Sequence, residues 1–130
     1  ISILIGVNDT WHEFGSGNGV ELPRYEQFLR MLIEWTKQAL PKTGIVLIEP
    51  FVLKFGAVSK EWLPEMKARG KIVRKLAEEY GLLFIPMQSV FDHALKRAPG
   101  EFWLKDGVHP TAEGFQLMAD TWIQAVKELI

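Results

Sequence analysis

Ile45-Val46-Leu47-Ile48, followed by Glu49 and Pro50, is the run on which the fold class turns. A strand with one wet face alternates apolar and polar residues. An unbroken apolar run rich in β-branched side chains suits a strand covered on both faces. The reading Ile45–Glu49 as a buried strand, closed by Pro50, has counterparts on either side. Ser2–Gly6 is a short apolar run with β-branched residues, and Leu82–Ile85 is another, ended by Pro86.

Helical spacing fills the intervals. Pro23 suits the first turn of a helix whose inward positions are Tyr25, Phe28, Leu29, Leu32, Ile33, Thr36, Ala39 and Leu40, with Pro41 and Gly44 ending it. A second helix runs to Tyr80, with Met66, Ile72, Val73, Leu76 and Tyr80 inward and Gly81 as its stop. Val90–Ala98 reads as a short helix. The last helix spans about Thr111 to Leu129, with Phe115, Met118, Ala119, Trp122, Ile123 and Val126 inward. Thr10–Leu22, with Gly15, Gly17 and Gly19, reads as a loop, and Phe51–Leu63 as a long connection. Trp35, Trp62 and Trp122 fall at helical spacing and are expected in the core. Lys67, Arg69, Lys71, Arg74 and Lys75 are expected on a solvated helix face. The strand–helix alternation predicts an α/β protein with a parallel sheet covered on both faces and right-handed crossovers.

Composition narrows the function classes. The 130 residues are 48% hydrophobic, one domain's worth, able to bury roughly two-thirds of the unfolded surface. Fifteen Lys+Arg oppose sixteen Asp+Glu, a formal net charge of −1, so no nucleic-acid partner is expected. Cysteine is absent, which excludes disulfides, thiolate metal sites and a cysteine nucleophile. No apolar run approaches the ~20 residues of a membrane span. The start has neither Met nor a charged stretch and does not read as a signal peptide. That leaves the compartment open, with a lean towards the cytoplasm. Ile1 stands inside a predicted strand, so sequence is expected upstream of it. Without such sequence, Ser2–Gly6 would be an exposed edge open to self-association as a homo-oligomer.

In an open parallel sheet, chemistry belongs at the carboxyl ends of the strands. Asn8 and Asp9 follow the first strand, Glu49, Pro50 and Phe51 the second, and Gln88 and Ser89 the third. Asp106-Gly107-Val108-His109-Pro110 precedes the last helix. A carboxylate three residues before a histidine can fix the tautomer of an imidazole base and stabilise its protonated form. Asn8 can donate to an oxyanion without adding charge. The plainer readings are that Asn8 and Asp9 cap a turn, that Asp106 serves a Lys-Asp-Gly turn and that His109 caps a helix. His12 and His93 form no ligand pattern with the pair, so no metal is expected. Ser2, Ser16, Ser59 and Ser89 are all poor nucleophile candidates, because none sits on a strand-to-helix elbow.

Gly6-x-Asn8-Asp9 and Asp106-x-x-His109-Pro110 resemble the third and fifth signature blocks of the SGNH hydrolases, also called GDSL esterases. The likeness covers essentially the whole chain, as the second half of such a domain. It implies a flavodoxin-like three-layer α/β/α fold, three of whose strands are present while the first strands are missing. It implies Asn8 as oxyanion donor, His109 as general base and Asp106 as its orienting carboxylate. The first block, Gly-Asp-Ser with the nucleophile, and the second, a glycine donor, are absent, so the nucleophile is expected upstream of Ile1 in an N-terminally incomplete single domain, 1–130. The runs Thr10–Phe14 and Glu49–Leu53 are similar to a branch that includes acetylesterases of plant cell-wall polysaccharides such as xylan.

The expectation is therefore a serine esterase removing acetyl or other short acyl groups from carbohydrate or small-molecule esters, with Gly6, Asp9 and Trp11 against the substrate and no cofactor. Trp11, Phe14 and Phe51 have a plainer reading as lids or core. Two alternatives use the same rim: a non-catalytic sugar- or acyl-binding domain, and an acyltransferase.

Overall fold

The computed structural model describes residues 1–127. Three parallel strands, β1 (Ser2–Ile3), β2 (Val46–Ile48) and β3 (Leu83–Ile85), lie in the order β1-β2-β3. Ser2 pairs with Val46, and Leu47 with Phe84. Six helices accompany them among the described residues: α1 (Val7–Ser16), α2 (Leu22–Ala39), α3 (Trp62–Tyr80), α4 (Met87–Ala94), α5 (Gly100–Trp103) and α6 (Ala112–Lys127).

Successive strand residues point to opposite faces, and the core divides accordingly. Ile3 and Leu47 pack with Tyr25, Leu29 and Ile33 of α2 and Val73, Leu76 and Ala77 of α3. Val46, Ile48 and Ile85 pack on the other side with Met87, Phe91 and Ala94 of α4 and Trp103 of α5, against partly buried Leu117 and Met118 of α6. Helices on both faces of a continuous parallel sheet make the three-layer α/β/α arrangement expected. A third cluster of Val52, Val58, Trp62, Met66 and Val108 lies with Val7 and Trp11 packed against it.

The glycine-rich segment is a loop only from Gly17 to Glu21; Thr10–Ser16 is helical. The first strand ends at Ile3, short of the expected Gly6, and after Leu4 and Ile5 Gly6, at φ 126°, turns the chain into α1. Val7, Thr10, Trp11 and Phe14 then recur at i, i+3, i+4 and i+7, a helical stripe masked by the nearby glycines. Gly17 ends the helix in the left-handed region, and its N–H donates to the Glu13 carbonyl at 3.0 Å. The glycines mark the stop of a helix. Similarly, α4 begins at Met87 and not at Val90, because the Glu49 carboxylate accepts the Gln88 N–H at 3.1 Å. That cap comes from another strand and leaves no local trace. The four-residue α5 was not predicted. The expected end of α6 at Leu129 lies outside the described residues.

Several residues expected inside are exposed. Trp62 is buried, but Trp35 and Trp122 are not, nor are Phe28, Leu32, Leu40, Phe115, Ala119 and Ile123. Many of these flank the free side of β1. Phe28 and Leu32 line a hollow with Leu4 and Ile5 on one face, and Phe115 lines another with the same two residues on the opposite face. The indole N–H of Trp122 donates to Ser2 Oγ at 2.8 Å. Helical periodicity picked out the buried Tyr25, Leu29 and Ile33 of α2 and Met66, Val73 and Leu76 of α3, but most of the stripe it gave for α6 is exposed. It could not say that among the described residues no strand lies beyond β1 to cover the exposed positions. No helix there is long and apolar enough to cross a membrane.

Candidate active site

The segment between α5 and α6 folds back on itself. Leu104 and Pro110 form an antiparallel bridge, and the Lys105 N–H donates to the His109 carbonyl at 2.8 Å. Inside this loop the Asp106 carboxylate is fully engaged. Its Oδ1 accepts the N–H groups of Val108 at 3.0 Å and His109 at 2.9 Å. Its Oδ2 lies 2.7 Å from His109 Nδ1. An ionised carboxylate only accepts, so Nδ1 carries the hydrogen and donates it, leaving the Nε2 lone pair on the other side of the ring. Partial burial pushes the Asp106 carboxyl upward. The hydrogen bonds from the His109 backbone, the His109 ring and the Val108 backbone outweigh that and hold it below the usual carboxylate range.

Gly107 makes the loop possible. At φ 89° it occupies a conformation that L side chains avoid, and a Cβ there would stand 2.5 Å from the carbonyl oxygens of both Leu53 and Phe55. The Phe51–Glu61 connection thus seats the loop. Leu53 N–H donates to the Gly107 carbonyl at 2.9 Å, and Ala57 N–H to the Asp106 carbonyl at 2.9 Å. Within this connection, Gln88 holds Val52 from both sides: its amide donates to the Val52 carbonyl and accepts the Val52 N–H, each at 3.0 Å. Glu49 and Gln88, placed on the rim by the sequence, therefore brace the base of the site.

Asn8 stands in the first turn of α1. Together with Trp11, His12, Gly15, Ser16 and His109 it lines one open groove. The His109 side chain is 63% exposed, so solvent reaches its ring. The Trp11 ring joins the two segments: it lies 5.6 Å from the imidazole and 5.3 Å from the buried Trp62 ring, centroid to centroid. Amide, imidazole, acid and indole, predicted from opposite ends of the chain, thus meet in one region.

Gly6 and Asp9 border the neighbouring hollow, which Asn8 also lines. Neither borders the groove at His109. Gly6 is pressed by Tyr25, whose hydroxyl would be 2.9 Å from an added Cβ. Asp9 turns towards Arg69, its Oδ2 3.8 Å from Nη1. Burial raises the Asp9 carboxyl, and the Arg69 charge only partly offsets this. Arg69 itself is fully buried, contrary to the solvated face expected for it. It lies on the inward side of α3 with Met66, Gly70 and Val73. The signal that could have found it is the Glu65–Arg69 pair, four apart on a helix face that also carries these apolar residues.

None of the four serines hydrogen-bonds to His109 among the described residues. Ser16 borders the groove, but its hydroxyl donates to Asn18 Oδ1 at 2.6 Å. Ser2 accepts from Trp122, and Ser89 offers its carbonyl to His93 Nδ1 at 2.8 Å. No group of three or more His, Asp and Glu is placed to hold a metal ion among the described residues.

Residues 1–117 match the GDSL-like lipase/acylhydrolase family. Among curated proteins, an acetylxylan esterase of Geobacillus stearothermophilus is 32% identical over 130 residues, a match to 97% of this chain and 58% of the relative. The chain thus spans well under two-thirds of that relative's length. A solved structure described as a GDSL-like lipase, from Parabacteroides merdae, superposes with a TM-score of 0.92 at 47% identity, covering 97% of this chain and 59% of the other. A variant of the acetyl xylan esterase from G. stearothermophilus superposes with a TM-score of 0.84 at 31% identity, covering 96% and 58%.

Proposed function

The chain belongs to the GDSL-like lipase/acylhydrolase family, and on that premise we propose that it carries the acid–base half of a serine ester hydrolase acting on acetylated carbohydrates. The observation that carries this reading is the 2.7 Å contact from His109 Nδ1 to Asp106 Oδ2, made beside a groove that Asn8 shares. A bare turn or helix cap does not require the second carboxylate oxygen to meet the ring. Solved structures of the G. stearothermophilus esterase include catalytic mutants in which a serine, an aspartate or a histidine is replaced by alanine. Its aspartate and histidine stand three positions apart, as Asp106 and His109 do.

The nucleophile is a serine contributed from outside these residues. Its oxygen attacks the ester carbonyl carbon while His109 Nε2 takes the hydroxyl proton. The carbonyl oxygen becomes an oxyanion that accepts a hydrogen bond from the Asn8 amide, worth about 3 kcal/mol in the transition state for one such donor. Collapse expels the alcohol, which takes the proton from Nε2. Water then repeats the cycle on the acyl-serine and releases the carboxylic acid. Asp106 stays ionised throughout and holds the ring. The hydrogen bonds that depress its carboxyl serve that role. Trp11 offers an aromatic face to a sugar ring at the edge of the groove.

The test is hydrolysis of a short-chain aryl acetate and of acetylated xylo-oligosaccharides by the esterase that carries this chain, together with labelling by a fluorophosphonate. Labelling of a serine, hydrolysis of both substrates and loss of hydrolysis in His109→Ala support the reading. Saturable sugar binding with neither labelling nor hydrolysis would replace it with a non-catalytic binding domain.

A further inference from the structure

We infer that Arg69 is the positioning residue for Asn8: its buried guanidinium fixes the first turn of α1, and with it the direction of the Asn8 amide. Three observations converge. First, α1 has nothing of its own to fix its start. Its N-cap is Gly6, no side chain caps it, and its ten residues fall short of the ~12–15 an isolated helix needs. Second, Arg69 reaches that start from another element. Nε donates to Thr10 Oγ1 at 2.9 Å, and Nη2 donates to Glu65 Oε1 at 2.6 Å and to the Val20 carbonyl. The guanidinium carbon lies 4.8 Å from the centroid of the Tyr25 ring, and the Tyr25 hydroxyl donates to the Ile5 carbonyl at 2.9 Å. Arg69 thus holds the Thr10 end of the Gly6–Thr10 segment directly, and the Tyr25 ring it packs against holds Ile5 at the other end. Third, Nη1 is buried without a hydrogen-bond partner and lies 3.8 Å from Asp9 Oδ2.

A buried cation is costly unless it is paired, and truncating one partner of such a set leaves the others unpaired. Asp9 and Thr10 are the next residues after Asn8, so any shift that re-pairs them rotates the Asn8 side chain. A lysine keeps the charge but cannot present a planar fork to Thr10, Glu65 and Val20 together. Arg69 touches no substrate. Its effect on turnover passes through Asn8 and so rests on the proposed hydrolase reading, while its effect on the position of Asn8 does not.

The experiment compares the wild-type esterase that carries this chain with its Arg69→Met and Arg69→Lys variants, well below each melting temperature. In NMR spectra, the side-chain amide signals of Asn8 are expected to move in both variants. In aryl acetate hydrolysis, kcat is expected to fall by up to about 100-fold, as for a displaced catalytic group, with KM nearly unchanged. The acid limb of the pH–rate profile should stay in place, because the base is untouched. Arg69→Lys should recover much of the melting temperature but little of kcat. Thr10→Val, which removes one acceptor at nearly constant volume, should shift Asn8 in the same direction by less, and it stands in if Arg69→Met does not fold. Asn8 signals unmoved in the folded variants, or a kcat that recovers in step with the melting temperature, would overturn the assignment. Wild type without hydrolysis would sink the hydrolase reading and leave the NMR result to decide the placement.

Discussion

Residues 106–110 and residues 6–10 approach the same groove, one ahead of the last helix and one at the start of the first, and they are built by different means. In the 106–110 loop, the side-chain bonds that orient the imidazole span at most three residues, from Asp106 to Val108, to the His109 backbone and to the His109 ring, while Leu53 and Ala57 hold only its backbone. In the 6–10 segment, the restraining side chains stand far away in sequence. Tyr25 reaches Ile5 across 20 positions, and Arg69 reaches Thr10 across 59. A loop whose catalytic side chains bond one another carries its chemistry as a unit, wherever its backbone is seated. A borrowed scaffold makes its chemistry depend on remote packing.

The largest expected effect isolates the loop's chemistry from its shape. His109→Ala should lower kcat for an aryl acetate by at least about 10³-fold. The melting temperature should barely change, since the ring is mostly in solvent. A comparable loss of both would mean that the ring supports the loop and is not simply its cargo. Next comes Asn8→Ala, with a fall in kcat of about 10²–10³-fold and little change in KM.

Gly107→Ala attacks the loop's seat. Strain at a positive φ costs of order 1–3 kcal/mol, and the clash with two carbonyls adds to it, so the urea midpoint should drop clearly. A variant of normal stability would show the seat to be compliant.

A smaller effect uses pH, and the two segments should respond with opposite signs. The folded Asp106 carboxyl lies below its ordinary range, so the unfolded chain binds the proton first on acidification. Asp106 thus contributes stability above the ordinary carboxylate range, and it is lost as pH falls through the folded value. Relative to Asp106→Asn, wild type should lose stability on acidification. The folded Asp9 carboxyl is raised, so the folded state takes up the proton first, and wild type should gain stability relative to Asp9→Asn over the same fall. Urea titrations from neutral pH into the carboxylate range check both signs. The smallest effect is Asp9→Asn at neutral pH, within about 1 kcal/mol, because the relief of burying a charge and the lost proximity to Arg69 oppose each other.

The same contrast explains what could be read in advance. The acid–imidazole pair was legible because Asp-x-x-His-Pro can close its own hydrogen bonds. The three strands were legible because their apolar runs are unbroken, although only β2 is buried along its whole length. The first helix was missed because Gly15, Gly17 and Gly19 read as a loop, although only Gly17 lies in the left-handed region. Arg69 was assigned to solvent because its neighbours Lys67 and Lys71 suggested a charged face. On a helix the residues that matter to it are three and four positions away: Glu65, Met66 and Val73.

By itself the sequence determined the three strands, the helices other than α1 and α5, the parallel α/β architecture and the pairing of Asp106 with His109. These follow from periodicity and from hydrogen bonds between near neighbours, which any window of the chain contains. Only the tertiary structure decided that Asn8 opens a helix, that Asp9 faces Arg69 instead of the groove, and that Phe28, Trp35, Phe115 and Trp122 stay exposed. Each of these depends on what a distant element places opposite a side chain, and partners twenty or more residues apart leave no period in the sequence to read.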